Sequence, residues 1–524
     1  TTEIYTLSLH DALPICHARG FLSFGSKHQW NKEMNEHKLF INNEWIAPQG
    51  NEYLSSLNPS TGEVIAKIAK GKAVDAQKAI VAAKQAFISG VWSSLSVEKR
   101  GQALEKIAEV IRQNAKELAE IESRDTGKTI KQTTFIDVPT CADTFSYFAK
   151  IRKELEARKL NIAAPVDSKV CYEPIGVVAA IAAWNYPLIF FGWKVAPALI
   201  AGNSVVYKPS SVASLAVVRV FEIIAGILPK GVLNLVTGGR EVGEELARSV
   251  DVDMLTFTGG NQAGQEVMRL AATNTKKLCL ELGGKSPNIV FADCDMDAAI
   301  GGTMSSIFMN QGQMCVAGSR LLLEDKIYDE FVAKLSKEAQ RLKIGNALDY
   351  TTEFGPLVSR EHRDGVLKFI EQGKKEGARL VYGGKIGAGA DFDKGAFLEP
   401  TIFADVQNSM AIAQEEIFGP VLSVIKFSSA EEAITIANDT KYGLAAMVWT
   451  KDKEKADSVA RQLRCGTVWI NTYGGFYNEA PFGGYKQSGF GRELGVEGLL
   501  DCMQIKHVCR DTTPGGKSLA SSWF

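Results

Sequence analysis

Residues 176–210 read GVVAAIAAWNYPLIFFGWKVAPALIAGNSVVYKPS, and this stretch decides the fold. Its two ends, 176–183 and 203–207, are short runs rich in small and β-branched residues, as in buried strands, and a longer apolar segment separates them. Strand-like runs recur at 231–236 and 254–258. Because strands that alternate with helices form parallel sheets with crossover connections, the sequence predicts an α/β fold.

The same kind of pattern extends to both sides of this stretch. Apolar residues at helical spacing predict helices at 73–89 and 97–123, and a second α/β series spans 288–470. Residues 156–174 and 500–511 read as strands that belong to neither series. A chain of 524 residues is long enough for two to four domains.

Composition and charge exclude several classes of protein. An apolar share of 45% and a charged share of 23% are ordinary for a globular chain and unlike a disordered one. The formal net charge of −1 provides no basic field for nucleic acid. Polar residues interrupt the apolar runs before the length of about 18 residues that a membrane helix needs. We therefore expect neither a nucleic-acid nor a membrane partner.

Cysteine and histidine usage limits the chemistry. The nine cysteines include no C-x-x-C pair, so neither a zinc ribbon nor a redox dithiol is indicated, and we expect no metal site. An odd number of thiols in a long chain favours a reducing cytoplasm over a disulfide framework. Of six histidines, only His362 and His507 lie in the body of the chain, which disfavours a Cys–His hydrolase.

The N-terminal segment is unlike an ordinary protein start. It begins without Met, and TTEIYTLSLHDALPIC at 1–16 lacks the basic region of a signal peptide. This text is similar to a translated sequencing adaptor. We expect residues 1–33 to be a non-native or disordered leader and the natural start to be Met34.

Three segments carry residues suited to covalent chemistry on a carbonyl group. Cys315 lies in NQGQMCVAGSR, where exposure and backbone N–H groups could activate a thiolate; the alternative is a small buried apolar residue. Glu281, in CLELGGKSP, is either a general base with a raised pKa or the salt-bridge partner of Lys277 or Lys285. Asn185 follows a buried strand, and it is either a donor to an oxyanion or a turn residue.

Together, seven motifs in the right order resemble the aldehyde dehydrogenase superfamily. They are WNYPL, VVYKPS, FTGG, LELGGKSP, NQGQMC, EEIFGPV and PFGGYKQSGFGRELG. The resemblance extends from about Leu39 to Val508. Glu281 and Cys315 stand 34 residues apart, as the family pattern requires.

This resemblance implies oxidation of an aldehyde to a carboxylic acid with NAD or NADP. By analogy, the Cys315 thiolate forms a thiohemiacetal held by the Asn185 side chain and the Cys315 N–H, and Glu281 activates the water that hydrolyses the resulting thioester. The implied fold has two Rossmann-like parallel-sheet domains and a small β platform for oligomerisation. The implied boundaries are 38–155 with 175–283 for the dinucleotide-binding domain, 284–485 for the catalytic domain, and 156–174 with 486–511 for the platform.

The positions that match the family's cofactor site are spread over several loops. Lys208 is expected at the adenosine ribose, with Gly239 and Gly243 on the adenine side. Glu416 is expected at the nicotinamide ribose, with Phe418 nearby. No G-x-G-x-x-G follows a strand, but the family lacks that motif as well. The full implied set is Trp184, Lys208, Ser210, Ser211, Gly239, Gly243, Phe257, Thr258, Gly259, Gly260, Leu282, Glu416 and Phe418.

Three positions depart from the family pattern. Ala183 replaces the usual Pro before Trp184, and Gly260 stands where Ser is common, which removes one pyrophosphate donor. Ser211 replaces the Glu that commonly binds the ribose hydroxyls of NAD. Because loss of this carboxylate removes a repulsion against a 2′-phosphate, we predict that both NAD and NADP are used.

The positions that match the family's substrate tunnel are all aromatic: Tyr186, Phe190, Trp193 and Phe476. Aromatic faces attract a quaternary ammonium by cation–π interaction, and with the KQSGFGRELG ending this favours a betaine-aldehyde or aminoaldehyde dehydrogenase. Asp137 matches one acidic position of aminoaldehyde relatives, whereas a second falls on Thr140. The alternative is a tunnel for a generic apolar or aromatic aldehyde.

Three other functions fit parts of the pattern. A CoA-acylating aldehyde dehydrogenase would not need the water-activating Glu281, and the presence of this residue therefore disfavours that function. A catalytically silent scaffold would not need the full set Asn185, Glu281, Cys315 and Glu416, and the presence of all four disfavours it. A thiol hydrolase would need a His within one of the motifs, and none of the seven motifs contains one, which disfavours this function. The resemblance further implies a homodimer or homotetramer in which the platform strands pair across subunits.

Overall fold

The computed structural model describes residues 36–151, 153–387, 390–516, 518 and 520; the leader predicted at 1–33 and the start predicted at Met34 lie outside them. The β-strands are β1 Glu36–His37, β2 Leu39–Ile41, β3 Glu44–Ile46, β4 Tyr53–Leu57, β5 Val64–Ala69, β6 Arg158–Lys159, β7 Val166–Pro174, β8 Val177–Ile181, β9 Ser204–Lys208, β10 Leu233–Leu235, β11 Met254–Thr258, β12 Lys277–Glu281, β13 Pro287–Val290, β14 Arg320–Glu324, β15 Arg379–Tyr382, β16 Thr401–Ala404, β17 Val421–Phe427, β18 Ala445–Trp449, β19 Thr467–Ile470, β20 Gly489–Phe490 and β21 Met503–Asp511. The α-helices are α1 Ala73–Ile88, α2 Val97–Gln113, α3 Ala115–Thr126, α4 Ile130–Gln132, α5 Val138–Lys150, α6 Pro187–Ala201, α7 Leu215–Ile224, α8 Arg240–Arg248, α9 Asn261–Ala271, α10 Met296–Phe308, α11 Tyr328–Gln340, α12 Arg360–Lys375, α13 Ala390–Lys394, α14 Ala411–Gln414, α15 Ala430–Asn438, α16 Lys453–Gln462 and α17 Gly495–Asp501.

An eight-stranded sheet contains the strands of the stretch 176–210. Its order is β20-β12-β11-β8-β9-β10-β2-β3. The strands from β12 to β10 are parallel, and β8 pairs with β9 from Val177 opposite Ser204 to Ile181 opposite Lys208. The predicted α/β fold with parallel strands is therefore confirmed. The short strands β2, β3 and β20 add antiparallel edges that the alternation does not predict.

The helix α6 accounts for the longer apolar segment between β8 and β9. All of its residues are buried, and it ends at Gly202, whose φ of 101° lies in the left-handed region that glycine favours. The ring of Phe191 in α6 packs against Tyr207 of β9 with 5.3 Å between centroids. Burial of a side chain of this size contributes about 1.5–3 kcal/mol. The segment is apolar all round because it is buried all round.

The helices depart from the prediction at one point. The segment predicted as a single helix at 97–123 forms two, since Asn114 closes α2 and opens α3. None of the helices in the described part of the chain is long and apolar enough to cross a membrane.

Two further sheets contain strands from the second α/β series and from the segments 156–174 and 500–511. A seven-stranded sheet, β15-β16-β17-β14-β13-β18-β19, is parallel except for the β15–β16 pair. A three-stranded antiparallel sheet has the order β21-β7-β6. Of the segment 486–511 expected in this platform, only 503–511 takes part, because β20 joins the eight-stranded sheet and 495–501 forms α17. A small sheet near the start has the order β1-β5-β4.

The segment 282–286 leads from β12 in the eight-stranded sheet to β13 in the seven-stranded one. A Cβ on Gly284 would lie 2.2 Å from the carbonyl oxygen of Cys315, and one on Gly283 would lie 2.0 Å from Glu416 Oε2. Only glycine permits such close approach. The crossing segment therefore packs directly against two loops of the seven-stranded sheet, and the candidate site lies at this junction.

Candidate active site

The loop before Cys315 has an unusual backbone. Asn310, Gln311 and Gly312 are all left-handed, with φ values of 47°, 53° and 71°. The side chain of Gln313 fastens the loop, since its Oε1 accepts from Val358 N at 2.9 Å and its Nε2 donates to Asn310 O at 3.1 Å. Consecutive left-handed residues cost free energy and persist where packing holds them, often at functional sites.

Asn185 lies beside this loop. It follows β8, is 2% exposed, and its Nδ2 donates to Gln313 O at 2.9 Å. Asn310 Nδ2 in turn donates to Asn185 O at 3.3 Å. The carboxyl end of a parallel strand thus carries an amide N–H₂ to the Cys315 loop, where it can donate to a developing oxyanion.

Glu281 ends β12 and is buried without a hydrogen-bond partner. It is 3% exposed, and neither carboxylate oxygen has a partner among the described residues. Neither lysine named as its salt-bridge partner pairs with it: Lys277 Nζ lies 3.2 Å from Asp501, and Lys285 Nζ is itself buried without a partner. The salt-bridge interpretation is therefore wrong, and the unpaired carboxyl fits the general-base interpretation.

The electrostatic surroundings of Glu281 oppose its ionisation. Burial raises the pKa of its carboxyl well above the usual range, and the nearby Glu493 raises it further, whereas Lys194 and Arg492 lower it. Lys194 Nζ is hydrogen-bonded to Glu493 and donates to Thr256 Oγ1 at 2.9 Å. The balance of these charges sets how readily Glu281 can accept a proton.

The surroundings of the partly exposed Cys315 thiol also oppose its ionisation. Burial raises the pKa of the thiol well above its ordinary value, and the charges of Glu281 and Glu416 raise it further. The backbone N–H groups of Cys315 and Val316 act in the opposite direction. A group in the site that accepts the thiol proton would therefore favour the nucleophilic thiolate.

One cavity of about 350 Å³ brings these side chains together. Glu416 also faces it, and Gly284 N donates to Glu416 Oε1 at 3.0 Å. Burial raises the pKa of Glu416 to about 7, although this N–H and Lys285 lower it. Residues of the predicted catalytic and cofactor sets that line the cavity are Trp184, Asn185, Phe257, Thr258, Gly259, Gly260, Glu281, Leu282, Cys315, Glu416 and Phe418.

A second cavity, of about 670 Å³, adjoins the first through Phe257, Thr258 and Ala263, which line both. The other predicted cofactor residues line this cavity: Lys208, Ser210, Ser211, Gly239 and Gly243. Thr258 Oγ1 is buried without a hydrogen-bond partner, and a Cβ on Gly239 would meet no atom within 4 Å. A continuous groove with an unused donor and a glycine-lined wall fits an extended dinucleotide.

His362 also faces this site, although no sequence motif pointed to it. It lines the cavity that holds Cys315, and its Nε2 lies 2.7 Å from the Phe418 carbonyl oxygen. Its ring also packs edge-on against Trp184, with centroids 5.3 Å apart. Phe418 has a left-handed φ of 56°, so this hydrogen bond holds a strained residue at the cavity wall.

The predicted tunnel residues form part of a continuous aromatic cluster. Ring centroids are 6.3 Å apart for Tyr186 and Phe190, 6.2 Å for Phe190 and Trp193, and 5.9 Å for Trp193 and Phe476. Contacts of 5.3 to 5.5 Å add three rings that the sequence analysis missed: Trp469, Tyr473 and Phe482. Tyr473 also contacts Met314 beside Cys315 through its hydroxyl, 3.6 Å from the sulfur.

Asp137 lies beneath this cluster and is closed off from solvent. It is fully buried, with Oδ1 3.0 Å from Lys128 Nζ, which also pairs with the buried Glu122 at 2.6 Å. Lys128 Nζ lies 4.5 Å from the centroid of the Tyr186 ring. Burial, and then Glu122, raise the pKa of Asp137 to about 7, while Lys128 lowers it. Asp137 thus pairs with the lysine whose Nζ lies over the Tyr186 ring.

Comparison with known proteins agrees with this geometry. Residues 45–508 match the family described as "Aldehyde dehydrogenase family". The betaine aldehyde dehydrogenase of Bacillus subtilis (strain 168) is 50% identical over 490 residues, covering 93% of this chain and 99% of that protein. The NADP/NAD-dependent aldehyde dehydrogenase PuuC of Escherichia coli (strain K12) is 42% identical over 481 residues, 90% of this chain and 95% of that one.

Among solved structures, betaine aldehyde dehydrogenase from Staphylococcus aureus in complex with NAD⁺ matches with a TM-score of 0.90 and 40% identity. The match covers 94% of this chain and 97% of that one. The chain therefore belongs to the aldehyde dehydrogenase family, and it is an NAD(P)-dependent oxidoreductase that converts aldehydes to carboxylic acids.

Proposed function

We propose that Cys315 is the nucleophile, Asn185 the oxyanion donor and Glu281 the base for thioester hydrolysis. The observation that carries this proposal is that all three side chains line one cavity of about 350 Å³. When the thiolate adds to the aldehyde carbon, negative charge develops on the oxygen. The Asn185 amide and the Cys315 N–H would stabilise it, each by about 3 kcal/mol.

Proton transfer in this mechanism depends on burial. Desolvation raises the pKa of both Cys315 and Glu281 and therefore disfavours the ionised form of each group. Lys194 and Arg492 favour the ionised Glu281, which can then accept a proton from the attacking water. The bound cofactor supplies the acceptor for the hydride that leaves the substrate carbon.

For the cofactor, we propose the groove made by the two adjoining cavities. Glu416 would accept hydrogen bonds from the nicotinamide ribose, and Lys208 would donate to the adenosine ribose. Gly239, which precedes α8, and Gly243 within it leave the adenine side open, since a Cβ on Gly243 would approach no atom closer than 3.8 Å. Phe418, held by His362, would pack near the nicotinamide ribose.

For the substrate, we propose an aldehyde with a quaternary ammonium group, of the betaine aldehyde class. Support comes from the aromatic cluster around Trp193 and from the two betaine aldehyde dehydrogenases similar to this chain. The buried charges behind Tyr186 also sum to net negative when ionised, since Glu122 and Asp137 face one Lys128. An apolar or aromatic aldehyde is the second candidate, because the same rings bind it without a charge.

A pair of substrates of equal shape distinguishes the two candidates. Betaine aldehyde and 3,3-dimethylbutanal differ in the charge at the branched centre, so the ratio of their kcat/KM values reports cation recognition. We expect a ratio well above one, and a fall of about 2- to 30-fold in Phe476→Leu. Phe490→Leu, an equal change at an exposed ring outside the cluster, serves as the control. A ratio near one in the wild type would favour the second candidate.

We also propose assembly as a homodimer or homotetramer through the platform strands. Within the described part of the chain, the strand β21 pairs with β7 alone, and Ile505 on it is 70% exposed. An unpaired edge of this length is suited to pairing with a second copy. Light scattering would show a dimer or tetramer that dissociates in Ile505→Pro; a monomeric wild type would refute this.

A cytoplasmic location is the compartment we propose. The described cysteines are all unpaired thiols, as in a reducing environment. Fractionation of the producing cell would test this, and recovery of the protein outside the cytoplasm would contradict it.

A further inference from the structure

The groove wall on the adenosine side carries an arginine that the proposed function does not use. Arg240 begins α8 and lines the cavity of about 670 Å³ together with Lys208, Ser210 and Ser211. The side chain of Arg240 is 78% exposed. It forms ion pairs with Glu244 at 2.5 Å and with Glu266 at 3.8 Å.

The two cations and two carboxylates that line this cavity balance in charge, and one of the cations can leave its partners to bind an additional anion. Its charged lining residues are Lys208, Arg240, Glu244 and Glu266. Glu266 has a second partner, because Arg269 contacts both of its oxygens at 2.7 and 2.9 Å. Arg240 can therefore move away without leaving Glu266 unpaired. Its exposed pair with Glu244 is also weak, since ion pairs of this kind contribute about 0–1 kcal/mol.

Other residues that line the same cavity also suit a phosphate group. Ser210 and Ser211, just beyond the end of β9, present hydroxyl-bearing side chains and no carboxylate. Gly239 is the N-cap residue of α8 and provides no side-chain hydrogen bond, so the first N–H groups and the dipole of this helix favour an anion. A guanidinium binds phosphate through paired N–H groups, which an ammonium cannot do.

We infer that Ser211 and Arg240 form a phosphate subsite, in which Arg240 leaves Glu244 to bind the 2′-phosphate of NADP. This inference rests on the proposed cofactor groove and adds the residue that selects the phosphorylated cofactor. NAD, which lacks this phosphate, leaves Arg240 paired with Glu244. Arg240 therefore affects the affinity for NADP and leaves that for NAD nearly unchanged.

The test is a binding measurement that needs no turnover. Calorimetric titration with 2′,5′-ADP and with 5′-AMP compares the adenosine half of the cofactor with and without the phosphate. In Arg240→Gln, the Kd for 2′,5′-ADP should rise on the order of tenfold or more, and that for 5′-AMP less than about twofold. The matched control is Arg248→Gln, the same change at the far end of α8 and outside the cavity, which should alter neither value more than about twofold.

Two further variants act on the same subsite in opposite directions. Glu244→Gln frees Arg240 and should tighten binding of 2′,5′-ADP, while Ser211→Glu restores a carboxylate and should weaken it. An unchanged ratio of the two Kd values in Arg240→Gln would overturn the inference. Absence of 5′-AMP binding in the wild type would instead refute the proposed groove, so the two failures are distinguishable.

Discussion

The pKa of Glu416 leads to a quantitative prediction for cofactor binding. Burial raises this pKa to about 7, and only the ionised carboxylate is a full acceptor for two ribose hydroxyl groups. Protons and cofactor therefore compete for Glu416. With a pKa of about 7, roughly one molecule in eleven is ionised at pH 6 and ten in eleven at pH 8, so the Kd for NAD should fall about tenfold between these values.

Quenching of tryptophan fluorescence by NAD at pH 6, 7 and 8 would measure this change. Glu416→Gln cannot ionise, so its Kd should be weak and nearly constant across the range. The variant also separates Glu416 from the neighbouring Lys285, whose pKa burial lowers to about 7 and which would titrate in the same range. A Kd independent of pH in the wild type, or a tenfold change retained in Glu416→Gln, would refute the reasoning.

Three substitutions test the other groups of the site. In Glu281→Gln, one equivalent of NADH per site should form rapidly, followed by turnover about 10²- to 10⁴-fold slower, because hydrolysis loses its base; stopped-flow absorbance without such a burst would contradict this. Asn185→Ala should lower kcat about 10²- to 10³-fold with an unchanged Kd for NAD, and wild-type kcat would exclude an oxyanion role. Lys194→Met leaves Glu493 buried and unpaired, so the free energy of unfolding measured in urea should fall by about 3–5 kcal/mol. The rise of kcat with pH should also move to higher pH in this variant, because a cation that lowers the pKa of Glu281 is lost. An unchanged pH profile in that variant would show that Lys194 does not act on Glu281.

The parallel core of the fold could be predicted from the sequence because its strands are buried on both faces. The strands β8 and β9 are buried throughout, so they read as continuous apolar runs. The antiparallel edges could not be predicted in this way. For example, Leu235 pairs with Phe40, and Leu280 with Phe490, through short strands whose partners lie far away in the sequence.

The family, the activity and the use of NAD or NADP were predicted from seven motifs and are confirmed by the comparisons. Individual side-chain environments were harder to predict. Asp137 matched an acidic position of relatives, yet it is buried against Lys128, at the end of a π-helical turn at Thr133–Asp137 that precedes α5. His362 has no motif around it, and its contact with Phe418 depends on packing of the first turn of α12 against a loop 56 residues away in the sequence.

The covalent role of Cys315 is the central claim, and mass spectrometry of the quenched enzyme tests it most directly. Glu281→Gln mixed with NAD and an aldehyde substrate, then quenched in acid, should carry one acyl group, located on the peptide that contains Cys315. Cys315→Ala should show neither the adduct nor formation of NADH. An acyl group on another cysteine, or NADH formed by Cys315→Ala at the wild-type rate, would contradict the account.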